Sequence, residues 1–172
     1  MRKQARCVGS LVLAVLAVCV LVAAVFPRLR TAVTLTRLPE EAATVVEHYC
    51  NAAEVNFSEV QPFTYFPLKE MQEPYANSSQ QLTDWQLLAV EQINENLYAL
   101  TLRIKSEDVF QDNEWHRIWN FVGCVDGAWR YMVGVGFIPD TISEGLDLSK
   151  YNYRDNSFPL LPEACLDQTK SK

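Results

Sequence analysis

The hydrophobic and polar positions of this chain fall into three regimes. Residues 8–26 (VGSLVLAVLAVCVLVAAVF) carry no charge, and a helix of that length spans about 28 Å, close to the ~30 Å hydrocarbon core of a bilayer. From about Pro39, Ala42, Val45, Val46, Tyr49 and Ala53 recur with helical spacing, which predicts a helix with a single apolar stripe. Pro39 suits a first helical position, Glu40 and Glu41 fall where the helix dipole favours acids, and Glu40, Glu47 and Glu54 mark the solvated face. From Asp84 onward the period shortens to two, the spacing of strands.

Between helix and strands the pattern is broken by prolines. Ser58 is placed to cap a short second helix limited by Pro62, and residues 67–74 allow about two helical turns before Pro74 stops them. Residues 76–81 (ANSSQQ) read as a polar loop. Strands are predicted over 84–93 and 97–106, flanking a three-residue loop at 94–96. Tyr98, Leu100, Leu102 and Ile104 share one face of the second strand, and Ala99, Thr101 and Arg103 the other. An acidic turn at 107–113 leads to strands 114–124 and 128–137, joined across Val125-Asp126-Gly127; an Asp-Gly pair between aromatic-rich runs is a strong hairpin signal. Trp129, Tyr131, Val133, Val135 and Phe137 alternate, and Gly134 and Gly136 opposite them suggest curvature or the close approach of another element. Pro139 ends the strand. Residues 140–172 are expected to wrap over the sheet, fraying at the end.

The implied architecture is α+β: an N-terminal transmembrane helix, then helices packed on a curved, four-stranded antiparallel sheet. The divisions are a basic cytoplasmic head (1–7), a transmembrane helix or signal segment (8–26), a linker (27–37), a folded domain (38–158) and a flexible tail (159–172). Length favours an uncleaved anchor over a secretory signal, whose apolar region is usually about 7–15 residues, although Val22-Ala23-Ala24 would serve as a cleavage site. Arg2, Lys3 and Arg6 face Arg28, Arg30 and Arg37 across the apolar segment, so flanking charge alone does not orient it. A short basic head ahead of a long domain is the export pattern and places residues 31–172 outside the cytoplasm.

Charge narrows the function classes. Residues 31–172 hold ten bases against 21 acids, a net charge of −11, and such a surface repels phosphate backbones, which disfavours nucleic-acid binding. Beyond the anchor only Cys50, Cys124 and Cys165 remain. Three cysteines form at most one internal disulfide.

Glu41–Ala53 and, above all, the run Trp119-Asn-Phe-Val-Gly-Cys-Val-Asp-Gly-Ala-Trp-Arg-Tyr-Met-Val-Gly-Val135 give the domain its character. A leading helix, long hairpins and a terminal Trp-rich pair resemble the nuclear transport factor 2-like superfamily of cone-shaped domains, over about residues 38–138. The chain also resembles small bacterial membrane-anchored proteins that carry such a domain outside the cell. The resemblance implies a pocket between helix and sheet, in which enzymes of the superfamily place an Asp, His or Tyr.

Candidates for such a role are few. His116 shares its strand face with Ile118, Asn120, Val122 and Cys124; if that face lines the cone, His116 and Asn120 jointly touch a ligand. Arg117 and Trp119 are the further candidates for ligand contact, on the face they share with Trp115. His48, at the edge of the helix stripe, reads as solvated. Two histidines and no Cys-x-x-Cys rule out a zinc site of standard spacing, and residues 107–114 (EDVFQDNE) lack the alternation and glycine of a calcium loop. Nucleophile-elbow, phosphate-loop and dinucleotide motifs are absent, and no cofactor is implied. The four tryptophans read as sheet packing rather than a nucleic-acid stacking platform. The expectation is a membrane-anchored extracytoplasmic binding domain without catalytic activity, contacting lipid through residues 8–26 and either an envelope protein or a small apolar ligand. The alternative is an isomerase- or dehydratase-type enzyme using the cone pocket, with His116 or a nearby Asp or Tyr as acid–base group.

Overall fold

The computed structural model describes residues 26, 28–110 and 114–151. The predicted membrane segment, apart from Phe26, and the tail from residue 152 lie outside the described residues. Among the described residues no helix is long and apolar enough to cross a membrane.

The stretch expected as a linker is helical over 28–35 (α1) and buries Thr31, Thr34 and Leu35. Two threonines on its inward face hid the period, because Thr is a weak helix former whose hydroxyl counts as polar. Here both hydroxyls are used: Thr34 donates to the Arg30 carbonyl at 2.8 Å, and Thr31 accepts from the Leu87 backbone N–H at 3.2 Å. The second bond ties α1 to the first strand of the sheet.

Helix α2 (Glu40–Val55) follows the predicted stripe, with Pro39 one residue ahead of it as N-cap. It buries Ala42, Val46, Tyr49, Cys50 and Ala53, while Val45 is half-buried. A 3-10 helix over Phe57–Phe63 contains Pro62 and is capped by Asn56 rather than Ser58: the Asn56 side chain accepts from the Ser58 N–H at 2.9 Å. Pro74 does not stop the next turns but sits in the first turn of α3 (Glu73–Ala76), where its missing N–H costs nothing.

Four antiparallel strands, β1 (Asp84–Asn94), β2 (Leu97–Lys105), β3 (Trp115–Val125) and β4 (Ala128–Met132), form an open sheet in sequential order. The fold is α+β. Both tight hairpin loops have two residues, since Asn94 pairs with Leu97 and Val125 with Ala128. Asp126 (φ 52°) and Gly127 (φ 79°) adopt the left-handed pair that a type I′ turn requires. Residues 107–110 of the expected acidic turn form a helical turn, α4 (Glu107–Phe110).

Strand β4 ends at Met132, five residues short of the expected 137, and the chain continues into a 3-10 turn over Val135–Phe137. Just past the end of the ladder the side chain of Asn120 bonds the Val133 carbonyl. Within β4, a parallel bridge from Thr64 to Tyr131 lets the Tyr65 N–H bond the Tyr131 carbonyl at 2.8 Å. Val133 and Phe137 stay buried, so the alternation reflected packing beyond the end of pairing. The chain then forms α5 (Asp140–Ser143) and a 3-10 turn over Ser149–Tyr151.

The register sorts the sheet into two faces. The inner face carries Leu87, Leu100, Leu102, Ile104, Ile118, Val122 and Tyr131 and packs against α2, where Tyr49 stacks on Tyr131. Among the described residues the outer face is covered at one end. There Phe121 meets Tyr151 edge-to-face at 5.3 Å, and Gly123 lies so close to Ile142 that a Cβ would come within 2.7 Å of its Cδ1. Gly123 thus marks a close approach of α5 to the sheet, where the sequence suggested curvature or such an approach at Gly134 and Gly136.

Candidate docking surface

The other end of the outer face is built by β2 and β3. Cross-strand partners there are Lys105 with Trp115, Arg103 with Arg117, and Thr101 with Trp119. At 3.3–3.4 Å per residue the two tryptophans stand roughly 13 Å apart along β3, with the arginine pair between them. Arg103 and Arg117 are exposed, and Trp115 and Trp119 half-buried.

Two like charges placed directly opposite on paired strands repel. Stacking offsets part of that repulsion: the Arg103 guanidinium carbon is 4.9 Å from the Trp115 ring centroid and that of Arg117 is 5.8 Å from Trp119, contacts worth about 0.5–1 kcal/mol each at exposed sites. Stacking uses the flat faces of the guanidinium groups and leaves their N–H edges for an acceptor. Two such edges side by side suit a carboxylate, which guanidinium groups bind through paired charge-assisted bonds. The half-buried indoles stand at either end of the pair, each beside one guanidinium group.

This patch is the cationic exception on an acidic domain. Residues 38–151 contain the bases Lys69, Arg103, Lys105, Arg117, Arg130 and Lys150, and Arg103, Lys105 and Arg117 occupy adjoining register positions. Arg130 donates to the Pro62 carbonyl at 3.1 Å, and Lys150 is 2.5 Å from Glu91.

The four residues singled out in the sequence do not form one site. Alternation along β3 sends His116 and Asn120 to the inner face and Arg117 and Trp119 to the outer one. His116 is half-buried at the end of the inner face, opposite Ile104. Asn120 is fully buried, and both its donors are used within the fold: its amide N–H groups reach the Val133 and Trp119 carbonyls, each at 2.8 Å, while its oxygen accepts from the Tyr131 hydroxyl at 2.7 Å. Asn120 therefore clasps β3 to the end of β4. The structure adds Arg103, Lys105 and Trp115 to the outer group. Their signal lay in the matching alternations Thr101-x-Arg103-x-Lys105 and Trp115-x-Arg117-x-Trp119, but only register brings the two together.

His48 is exposed on α2, edge-on to Phe63 at 5.3 Å, beside an open groove lined by Ala52, Val55 and Pro62. Cys50 is buried and unbonded, its thiol pushed well up by burial and then by the charges of Glu54 and Glu47, which makes it a packing residue rather than a nucleophile. Cys124 is half-buried and also carries no disulfide. Among the described residues no three His, Cys, Asp or Glu side chains are grouped to hold a metal ion. No family model matches the chain, and comparison with curated proteins finds no relative.

Proposed function

We propose that this chain is a membrane-anchored, extracytoplasmic docking domain without catalytic activity, which recognises a carboxylate-bearing extended segment of an envelope protein. The observation that carries the reading is the Arg103–Arg117 pair, held face to face by register and framed by Trp115 and Trp119. A soluble domain gains little from two exposed, mutually repelling guanidinium groups unless an anion joins them.

The helix-on-sheet arrangement agrees with a cone-like domain of the nuclear transport factor 2-like kind. In such a domain an enzyme would hold its substrate between helix and sheet. Here that space contains Tyr49 stacked flat on Tyr131, next to an Asn120 amide whose donors are already engaged. This favours binding on the outside of the sheet over chemistry or a small apolar ligand within it. The charge-free segment 8–26 supplies the anchor, and confinement to a surface raises the effective concentration towards neighbouring membrane proteins.

The test is photo-crosslinking in intact cells from a reactive residue replacing Thr101, which lies beside Trp119 on the outer face. An intermolecular adduct that disappears when Arg103→Glu and Arg117→Glu are combined supports the reading. An adduct unchanged by the double reversal, or none at all, contradicts it.

A further inference from the structure

We propose that helix α1 lies flat on a lipid bilayer, its exposed Phe26, Leu29 and Val33 side chains entering the boundary between headgroups and acyl chains while Arg28 and Arg30 meet anionic headgroups on either side. The proposal rests on the membrane-anchored reading and adds how the domain stands on the surface that holds it.

The helix has two opposite faces. One buries Thr31, Thr34 and Leu35, and Thr31 accepts from the Leu87 N–H, so this face is fixed to β1. The other carries Phe26, Leu29 and Val33, spaced three and then four positions apart, which sets them in one row along a helix. Phe26 is 63% exposed, and Leu29 and Val33 are 58% exposed. Thr36, next in the row, satisfies its hydroxyl on the Val33 carbonyl at 2.7 Å. Among the described residues the other exposed large apolar side chains are scattered: Val55 ends α2, and Leu68 lies in the loop after the first 3-10 helix.

Place and charge decide what covers the row. The charge-free run 8–26 ends at Phe26, and Val33 follows seven positions later, roughly 10 Å along a helix. A bilayer holding that run is therefore within reach of the whole row. Because the row extends along the helix axis, a surface that touches all three side chains must run parallel to α1. Arg28 and Arg30 fall to either side of it, and residues 28–37 contain three arginines and no acid. Bases flanking an apolar stripe are the pattern of helices that lie in a membrane interface. Their long side chains reach headgroup phosphates while the stems stay on apolar surface. A second copy stacked row to row would instead set the same arginines against one another.

The start of α1 also marks one end of the domain. Burial and then Asp84 raise the Glu54 carboxyl, and Arg28 opposes them, which brings Arg28, Glu54 and Asp84 to the same end. Glu95, in the turn beyond the 11-residue β1, lies at the other.

Quenching by brominated lipid tests the proposal. The full chain, with a fluorescent aminonaphthyl amino acid replacing Leu29, Val33 or Glu95 one at a time, is reconstituted into nanodiscs of phosphatidylcholine and phosphatidylglycerol brominated near the top of the acyl chains. The labels at Leu29 and Val33 are expected to be quenched several-fold more than the label at Glu95, and to similar extents. Quenching at Leu29 without quenching at Val33 overturns the proposal, since α1 would then leave the bilayer upright. So does a blue-shifted emission that bromine does not quench and that fades as fewer chains are loaded per disc, which assigns the row to a second copy. A chain that fails to enter the discs overturns the anchored reading and this proposal with it, whereas a chain that enters with both labels unquenched overturns the proposal alone.

Discussion

The ring of Tyr49 lies flat on that of Tyr131, with centroids 3.6 Å apart and planes 9° from parallel. Both residues are fully buried, so this contact joins α2 to β4 at the centre of the inner face. Deleting a large buried aromatic costs about 3–5 kcal/mol through lost transfer energy and the cavity left behind. Tyr49→Ala is therefore expected to lower stability by that amount in urea unfolding followed by near-ultraviolet circular dichroism, whereas a volume-conserving Tyr49→Phe keeps the stack and most of the stability.

Asn120 and Arg117 separate structural from docking residues. Replacing Asn120 with Leu strips a partner from the Tyr131 hydroxyl and from the Val133 and Trp119 carbonyls, and each buried group left unsatisfied costs about 1–3 kcal/mol. Arg117→Ala removes an exposed side chain and is expected to change stability by no more than about 0.5 kcal/mol. Parallel denaturant titrations of the two variants check this.

The Asp126–Gly127 turn gives a cleaner backbone test. Gly127 has φ 79°, and a Cβ there would meet nothing within 4 Å. Any cost of Gly127→Ala is thus conformational, about 1–2 kcal/mol for an L-residue in the left-handed region. Thermal unfolding should show that loss without a change in the native spectrum.

Lys150 holds Glu91 below the usual carboxylate range through the bond between them. A depressed carboxylate stabilises the folded state above its unfolded value and loses that contribution as pH falls through its folded value. Both side chains are more than half exposed, at 59% and 55%, so the effect is local and sensitive to salt. The Tyr151 ring resonances are expected to shift on acidification below the carboxylate range and in high salt at neutral pH. Glu91→Gln should abolish both transitions.

Sequence periodicity reached the elements whose local pattern and tertiary role agree. The α2 stripe, the alternation from Tyr98 to Ile104 and the Asp-Gly turn are of that kind, because burial of one face selects those residues. It missed what depends on partners distant in the chain. Helix α1 buries Thr31 against Leu87, and β4 stops where Asn120 takes the Val133 carbonyl, so neither leaves a periodic trace. The candidate surface was half legible: Arg117 and Trp119 stand out on β3, but their juxtaposition with Arg103 exists only in the β2–β3 register. Asn120, conversely, read as a polar group facing a pocket, because its three bonding partners are invisible without the fold.

Docking to an envelope protein requires attachment to a membrane, and alkaline carbonate extraction of membranes containing the full-length chain tests that attachment most directly. An anchored chain is expected to stay in the membrane pellet, and replacing Leu13 and Leu16 in the 8–26 segment with Lys is expected to release it, since each charge at the centre of a membrane-spanning helix costs about 2.5–3.5 kcal/mol. Wild-type chain recovered in the carbonate supernatant would contradict it.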